Sequence, residues 1–225
     1  QLSQIMLGWA EKHIGKGWEK VLADGYIHFL MDVNRSQVEY ERRGHYLFKK
    51  YDDVFDRVYN NPEFMSFYHW GVFVSTFAWE HHIKIYNFYK DFFLTCLKPE
   101  GGHLLDLGSG SGIWSFLTTH FSPRWTSQGI DISKKSIELS TKMAANSELA
   151  NKVQFNSYDA LKYVGDKKYN AAISCFLLEH LEDPKLLLQN MAMNLENKGY
   201  AFITAALTAA EVDHISEFRR ESEIV

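Results

Sequence analysis

Leu104-Leu105-Asp106-Leu107-Gly108-Ser109-Gly110-Ser111-Gly112 is the stretch on which the reading of this 225-residue chain turns. A short apolar run reads as a buried strand, and three glycines at alternate positions separate it from a helical pattern that starts at Ile113. Glycine there lets the backbone turn sharply and lets a ligand approach with no Cβ in the way, so the loop reads as a site for a nucleotide-like molecule. Two better-known loops fail on spacing. A dinucleotide fingerprint G-x-G-x-x-G needs glycine where Ile113 stands, and a phosphate loop needs Gly-Lys-Ser/Thr, which is absent.

Outward from the loop, short apolar runs alternate with helices. Strands are predicted over His103 to Leu107, Thr126 to Ile130, Val153 to Phe155, Ala171 to Cys175 and Tyr200 to Thr204; helices over Ile113 to Phe121, Ser133 to about Ser147, and from Asp183-Pro184 to a stop at Gly199. This alternation describes an open, doubly wound, mostly parallel α/β sheet with helices on both faces, and its ligand belongs beyond the carboxyl ends of the first strands. Two carboxylates fall at such ends. Asp131, 19 residues after Gly112, is placed to accept hydrogen bonds from vicinal ribose hydroxyls, and Asp159 to meet an adenine amino group.

From Gly102 to about Leu207 the chain resembles the class I, Rossmann-like S-adenosylmethionine-dependent methyltransferases of small molecules. The resemblance is carried by the glycine loop, Gly129-Ile130-Asp131-Ile132-Ser133, Ser157-Tyr158-Asp159-Ala160-Leu161 and Leu178-Glu179-His180-Leu181-Glu182-Asp183-Pro184, in family order and at family spacing. It implies S-adenosyl-L-methionine as cofactor and S-adenosyl-L-homocysteine as product. Gly108, Ser109, Gly110 and Gly112 would line the methionine portion and Asp106 would orient the loop. Asp131 would bind the ribose, Ile132 would pack on adenine, Asp159 with Ala160 would flank the base, and Phe176 would lie beside the sulfonium. The reaction implied is in-line transfer of an activated methyl to O, N or C of an acceptor, with Glu179 and His180 as candidate general bases where a proton must leave. Against a protein substrate, Cys175-Phe176-Leu177-Leu178 stands where an Asn-Pro-Pro-Tyr type of loop would be expected. Two other readings stay open: a tailoring domain of a larger synthase acting on a carrier-bound intermediate, and a non-catalytic scaffold.

Before the glycine loop the chain is built differently. Of its 34 aromatic residues 22 lie in residues 1 to 95, and the apolar spacing there is helical, as in Phe48, Tyr51, Phe55, Val58 and Tyr59. Asn61-Pro62 reads as a helix start, Gly71 as an interruption, and Ser75 to Leu97 as a further helix with His81, Ile85, Phe88, Phe92 and Cys96 on one stripe. Residues 1–98 are therefore expected to form an all-α lid, and 99–225 the cofactor-binding core. In the lid, Tyr68, Trp70, Phe73, Trp79 and His81 are candidates for an apolar or aromatic acceptor pocket. His81 is expected to be packed and His82 solvated. Glu80-His81-His82 is not read as a metal site, because adjacent helix positions point about 100° apart. Asp213-His214 has no supporting spacing either, so no metal is expected.

Charge narrows the partners. With 24 basic against 28 acidic residues the net charge is −4, which offers no field for nucleic acid or an anionic membrane and leaves a small-molecule acceptor. Cys96 and Cys175 stand 79 positions apart in no metal-like spacing, which suits a reduced, cytoplasmic protein. No basic-then-apolar pattern stands at Gln1-Leu2, so no signal peptide is expected in this stretch, and no apolar run approaches a membrane span. After strand five, the tail from Glu211 to Val225 is too short for a last helix and two closing antiparallel strands. Arg220 to Val225 reads as the opening of that helix, as in a domain cut from a longer chain with neighbouring domains.

Overall fold

The computed structural model describes residues 1–224. Helices α1 (Leu2–Ile14), α2 (Trp18–Arg43), α3 (Tyr51–Phe55), α4 (Pro62–Ala78) and α5 (Glu80–Phe88) come first, followed by a π-turn at Tyr89–Phe93 and the short α6 (Leu94–Cys96). The α/β part then runs β1 (Gly102–Leu107), α7 (Ile113–Phe121), β2 (Trp125–Asp131), α8 (Lys134–Ala145), β3 (Val153–Ser157), β4 (Tyr169–Cys175), a 3-10 turn at Leu178–His180, α9 (Pro184–Asn194) and β5 (Leu195–Thr204). All four strand pairings are parallel, in the order β3-β2-β1-β4-β5. The chain order reverses between β1 and β4, which opens a crevice at the carboxyl ends of those two strands.

Period-two alternation divides the core. Leu104 of β1 joins the N-terminal helices, α7 and α8 on one face, while Leu105 and Leu107 meet Leu187 and Met191 of α9 on the other. Met6 and Trp9 of α1 and Trp70 and Phe73 of α4 belong to the same buried cluster as Phe116, Met143 and Phe155, so the helical region and the sheet share one core.

Several predicted elements shift. The interruption lies at Trp79, in extended conformation (φ −96°, ψ 131°) between α4 and α5, and not at Gly71. Gly71 sits inside α4 because α2 passes over it: a Cβ there would lie 2.2 Å from that of Phe29. The stripe read through Ser75 to Leu97 is rotated as well. Tyr86, Tyr89, Phe93 and Leu97 are buried, whereas Phe88 and Phe92 are 55% and 60% exposed and Cys96 and His81 are exposed. The break at Trp79 and the extra residue per turn at Tyr89–Phe93 reset the helical phase, which a continuous 3.6-residue pattern does not anticipate. Gly199 does not end α9, which stops at Asn194; it lies within β5, where an added Cβ would sit 3.1 Å from the carbonyl oxygens of Asn170 and Glu196.

Among the described residues no strand follows β5; residues 205 to 220 run as loop and Glu221–Glu223 form one 3-10 turn. Val225, the last residue of the stretch read as the opening of a further helix, lies outside the described residues. No helix among them is long and apolar enough to cross a membrane.

Candidate active site

The glycine loop does three different things. Gly108 and Gly110 have φ of +73° and +48°, and with Ser109 and Ser111 they line a cavity of about 400 Å³ at the carboxyl ends of β1 and β4. That volume suits a small-molecule site. Gly112 (φ +73°) faces elsewhere: a Cβ on it would meet the Phe155 ring at 2.5 Å, so it serves the packing of α7 on the sheet. Asp106 also lies outside the cavity lining. Its Oδ2 accepts the Ser115 hydroxyl at 2.7 Å, and Ser127 donates to Ser115 at 2.8 Å, which pins the start of α7 to β1 and β2. Burial pushes the Asp106 carboxyl up to about 7.

Asp131 lines the cavity with both oxygens engaged, Oδ2 accepting the Gly110 N–H and Oδ1 the Ser133 N–H, each at 2.8 Å. It thereby ties the loop to the start of α8; burial raises its pKa above the ordinary value. Ile132, Asp159 and Ala160 are not part of the lining. Asp159 accepts the Leu161 N–H at 2.9 Å and pairs with Lys162 at 2.9 Å. Near it is Tyr51, which the sequence placed only in an aromatic stripe. Its buried hydroxyl has no partner, and burial, then the charges of Asp159 and Asp131, raise its pKa. The Tyr51 N–H donates to Glu182 at 2.7 Å, which holds α3 against the turn after β4.

From the helical region, Tyr68, Trp79 and His81 line the cavity, joined by Tyr59, His69 and His82. Trp70 and Phe73 do not: they are 6% and 0% exposed and pack edge to face in the core, on the other side of α4. The two adjacent histidines exchange the expected roles. His81 is exposed, while His82 is half-buried and packs its ring 4.8 Å from Phe176. Burial, then the neighbouring His81, pull His82 down to about 4. His69 is buried with both ring nitrogens unpartnered, and burial holds it neutral, at about 3. Phe176 lines the cavity and adopts a left-handed conformation (φ 55°), which costs a non-glycine residue roughly 1–2 kcal/mol. Its N–H is held by Thr204 of β5.

The cavity ends in a polar cluster. Glu179 and His180 are 1% and 8% exposed, and the loop after β5 closes over them, the Ile215 and Ser216 N–H groups donating to the Glu179 carbonyl. Glu179 Oε1 accepts the Ala206 N–H at 3.1 Å, while Oε2 is buried with no partner. His180 Nδ1 lies 3.1 Å from the Tyr59 hydroxyl and 3.3 Å from Asp213 Oδ2, and Tyr59 donates to Asp213 at 3.0 Å. Burial opposes charge on His180, yet Asp213 outweighs it and lifts the imidazole to about 10; the imidazolium in turn holds Asp213 down. Glu211 and His214 complete the group. Tyr59, which binds both His180 and Asp213, carried no signal in the sequence beyond its place in an aromatic stripe.

This architecture, a reversed-order parallel sheet with a glycine loop after β1 and a carboxylate at the end of β2, is that of the Rossmann-like methyltransferases. The family described as "Methyltransferase domain" matches residues 79–220, more than half of the chain, and the chain belongs to it. The family's methyl donor is S-adenosylmethionine. An uncharacterized protein of Synechococcus sp. is 29% identical over 133 residues, covering 56% of this chain and 31% of its own, so the chain spans about a third of that relative's length. Among solved structures, a putative sarcosine dimethylglycine methyltransferase from Galdieria sulphuraria is 17% identical with a TM-score of 0.49, covering 56% of this chain and 46% of its own. The O-methyltransferase of a trans-AT polyketide synthase multienzyme of Brevibacillus brevis, solved with S-adenosyl-L-homocysteine, is 21% identical with a TM-score of 0.46, covering 54% and 39%.

Proposed function

We propose that the chain transfers the methyl group of S-adenosylmethionine to O, N or C of a small, apolar or aromatic acceptor. The observation that carries this reading is a single cavity joining the Gly108 to Ser111 loop and Asp131 to an aromatic wall and to the Glu179/His180 cluster. The unpartnered buried Ser109 hydroxyl and the space beside Gly110, where a Cβ would touch nothing within 4 Å, suit a polar ligand laid along the loop.

Bound S-adenosylmethionine supplies an already activated methyl, so the protein has to position and to exclude water. Gly108 to Ser111 and Asp131 hold the cofactor on one wall. Tyr68, Trp79 and His82 form the acceptor wall and keep the cavity dry. Glu179 presents Oε2, buried and unpaired, to a proton leaving the acceptor, and His180 is fixed through Nδ1 by Tyr59 and Asp213.

Calorimetric titration with S-adenosylhomocysteine, followed by a homocysteine-release screen of hydroxyl, amine and acidic-carbon acceptors, tests this. Asp131→Ala is expected to weaken S-adenosylhomocysteine about ten- to a hundredfold, the range for losing hydrogen bonds to a charged group. Absence of binding to either form of the cofactor overturns the reading.

A further inference from the structure

Five ligand-type side chains that the sequence scatters over 36 positions meet at the end of the cavity. One ligand atom each from Glu179, His180 and His214 lies within 4.8 Å of the other two, and Glu211, Asp213 and His214 form a second such set. An acidic cluster alone would say little, but these groups are already arranged from behind. His214 Nδ1 donates to the Ala209 carbonyl at 2.7 Å, which fixes the proton on Nδ1 and leaves a lone pair on Nε2. His180 Nδ1 faces three acceptors, the Tyr59 hydroxyl, Asp213 Oδ2 and the Asp213 carbonyl, so a proton stays there, and a cation at Nε2 takes the place of the second proton of the imidazolium. An imidazole whose other nitrogen donates to a carboxylate or a backbone carbonyl is the arrangement that orients a metal-ligating histidine.

The second observation is independent of the histidines. Glu179 Oε2 and Asp213 Oδ1 are buried without any hydrogen-bond partner, in residues 1% and 0% exposed that line the cavity. An unpaired buried carboxylate oxygen is costly unless something cationic or protic meets it.

We propose that Glu179, His180 and His214 form a site for one divalent transition cation, in which Glu179 Oε2 is a ligand and no longer the proton acceptor, with Asp213 and the Ala209 carbonyl holding the two imidazoles from behind. Two nitrogen donors and one carboxylate suit Mn²⁺, Fe²⁺, Co²⁺ or Zn²⁺ and disfavour Mg²⁺ and Ca²⁺, which prefer oxygen ligands alone. Ligands about 2.1 Å from one cation lie roughly 3 Å apart, so binding contracts the cluster. Three protein ligands leave positions open toward the cavity, where the cation selects acceptors that offer an oxygen ligand. That use of the cation rests on the methyl-transfer reading above; the binding itself does not.

The test is calorimetric titration of chelator-stripped protein with Zn²⁺ and separately with Mg²⁺, with Mn²⁺ followed by electron paramagnetic resonance, and S-adenosylhomocysteine titrated into each sample. One equivalent of Zn²⁺ and of Mn²⁺ is expected, Mg²⁺ binding at least a hundredfold more weakly than Zn²⁺. Glu179→Gln, which preserves the acceptor for Ala206, and His214→Ala should each weaken Zn²⁺ at least tenfold. Asp213→Asn should weaken it ten- to a hundredfold from behind the ligand, and the exposed His28→Ala should change nothing. Absence of saturable binding, or binding that both ligand substitutions leave intact, overturns the proposal. Failure of S-adenosylhomocysteine to bind while Zn²⁺ binds would instead overturn the methyltransferase reading alone.

Discussion

Two glycines inside helices, Gly8 of α1 and Gly71 of α4, should respond to the same substitution with opposite sign. Replacing either by alanine adds about 1 kcal/mol of helix propensity. At Gly8 nothing lies within 4 Å of the new Cβ, so the gain stands alone and the melting temperature should rise by about 2–4 °C for a domain of this size. At Gly71 the new Cβ falls 2.2 Å from the Phe29 Cβ and 3.2 Å from the Gly25 carbonyl oxygen. The first atom is anchored directly to the α2 backbone, so no rotamer change relieves the overlap and the two helices must separate. Gly25 faces the same crossing, its own Cβ position lying 2.7 Å from that of Trp70, which leaves the crossing no slack. Overpacking of this kind costs about 1–3 kcal/mol. At the upper end of that range the net destabilisation is about 1–2 kcal/mol, a fall of about 2–8 °C. Parallel calorimetric melts of wild type, Gly8→Ala and Gly71→Ala read both signs. A Gly71→Ala protein that melts at or above wild type would refute the claim that α2 and α4 touch through these glycines.

Ser115→Ala should cost about 1–3 kcal/mol in urea unfolding, because it removes the hydroxyl that satisfies the buried Asp106 carboxyl; an unchanged midpoint would contradict that role. The contact of Glu148 with Lys12 and Trp9 ties α1 to the end of α8, and Lys12 chiefly, with Trp9, holds this carboxyl down at about 2. A lowered folded pKa stabilises above the ordinary carboxylate value and is lost as pH falls toward 2. Glu148→Gln should therefore flatten the acid side of the stability curve slightly, the pair being half exposed, and leave unchanged any loss of stability above pH 7. Cys96 is exposed, while Cys175 is buried with its thiol pushed up by burial, so a thiol reagent at neutral pH should titrate one fast group per native chain and two after denaturation. Two fast groups in the native protein would place Cys175 wrongly.

The α/β half was legible because its signals are local. A strand that ends in three glycines, an N-cap serine at Ser133 and the Asp183-Pro184 start each act within a few residues, and α7 spans the predicted Ile113 to Phe121. The helical half was less legible because its decisive events are contacts between elements. Trp79 breaks the chain where Gly71 had the local look of a breaker, since the value of a glycine in α4 lies in the approach of α2. The same holds at the site. Of the residues named from their order along the chain, Gly108 to Ser111, Asp131, Phe176, Glu179 and His180 line the cavity, whereas Gly112 and Asp106 pack outside its lining and Trp70 and Phe73 lie in the core.

What the sequence determined by itself was the fold class and the wall of the cavity built from β1, β2 and β4, because periodicity, glycine and caps are properties of neighbouring residues. What only the tertiary structure decided was the opposite wall and the polar end of the cavity. Tyr59 comes from the loop after α3, Glu179 and His180 from the turn after β4, and Glu211, Asp213 and His214 from the loop after β5. Their meeting is a matter of distances between segments more than 30 residues apart, which no pattern along the chain encodes, and on those distances rests the chemistry proposed for this protein.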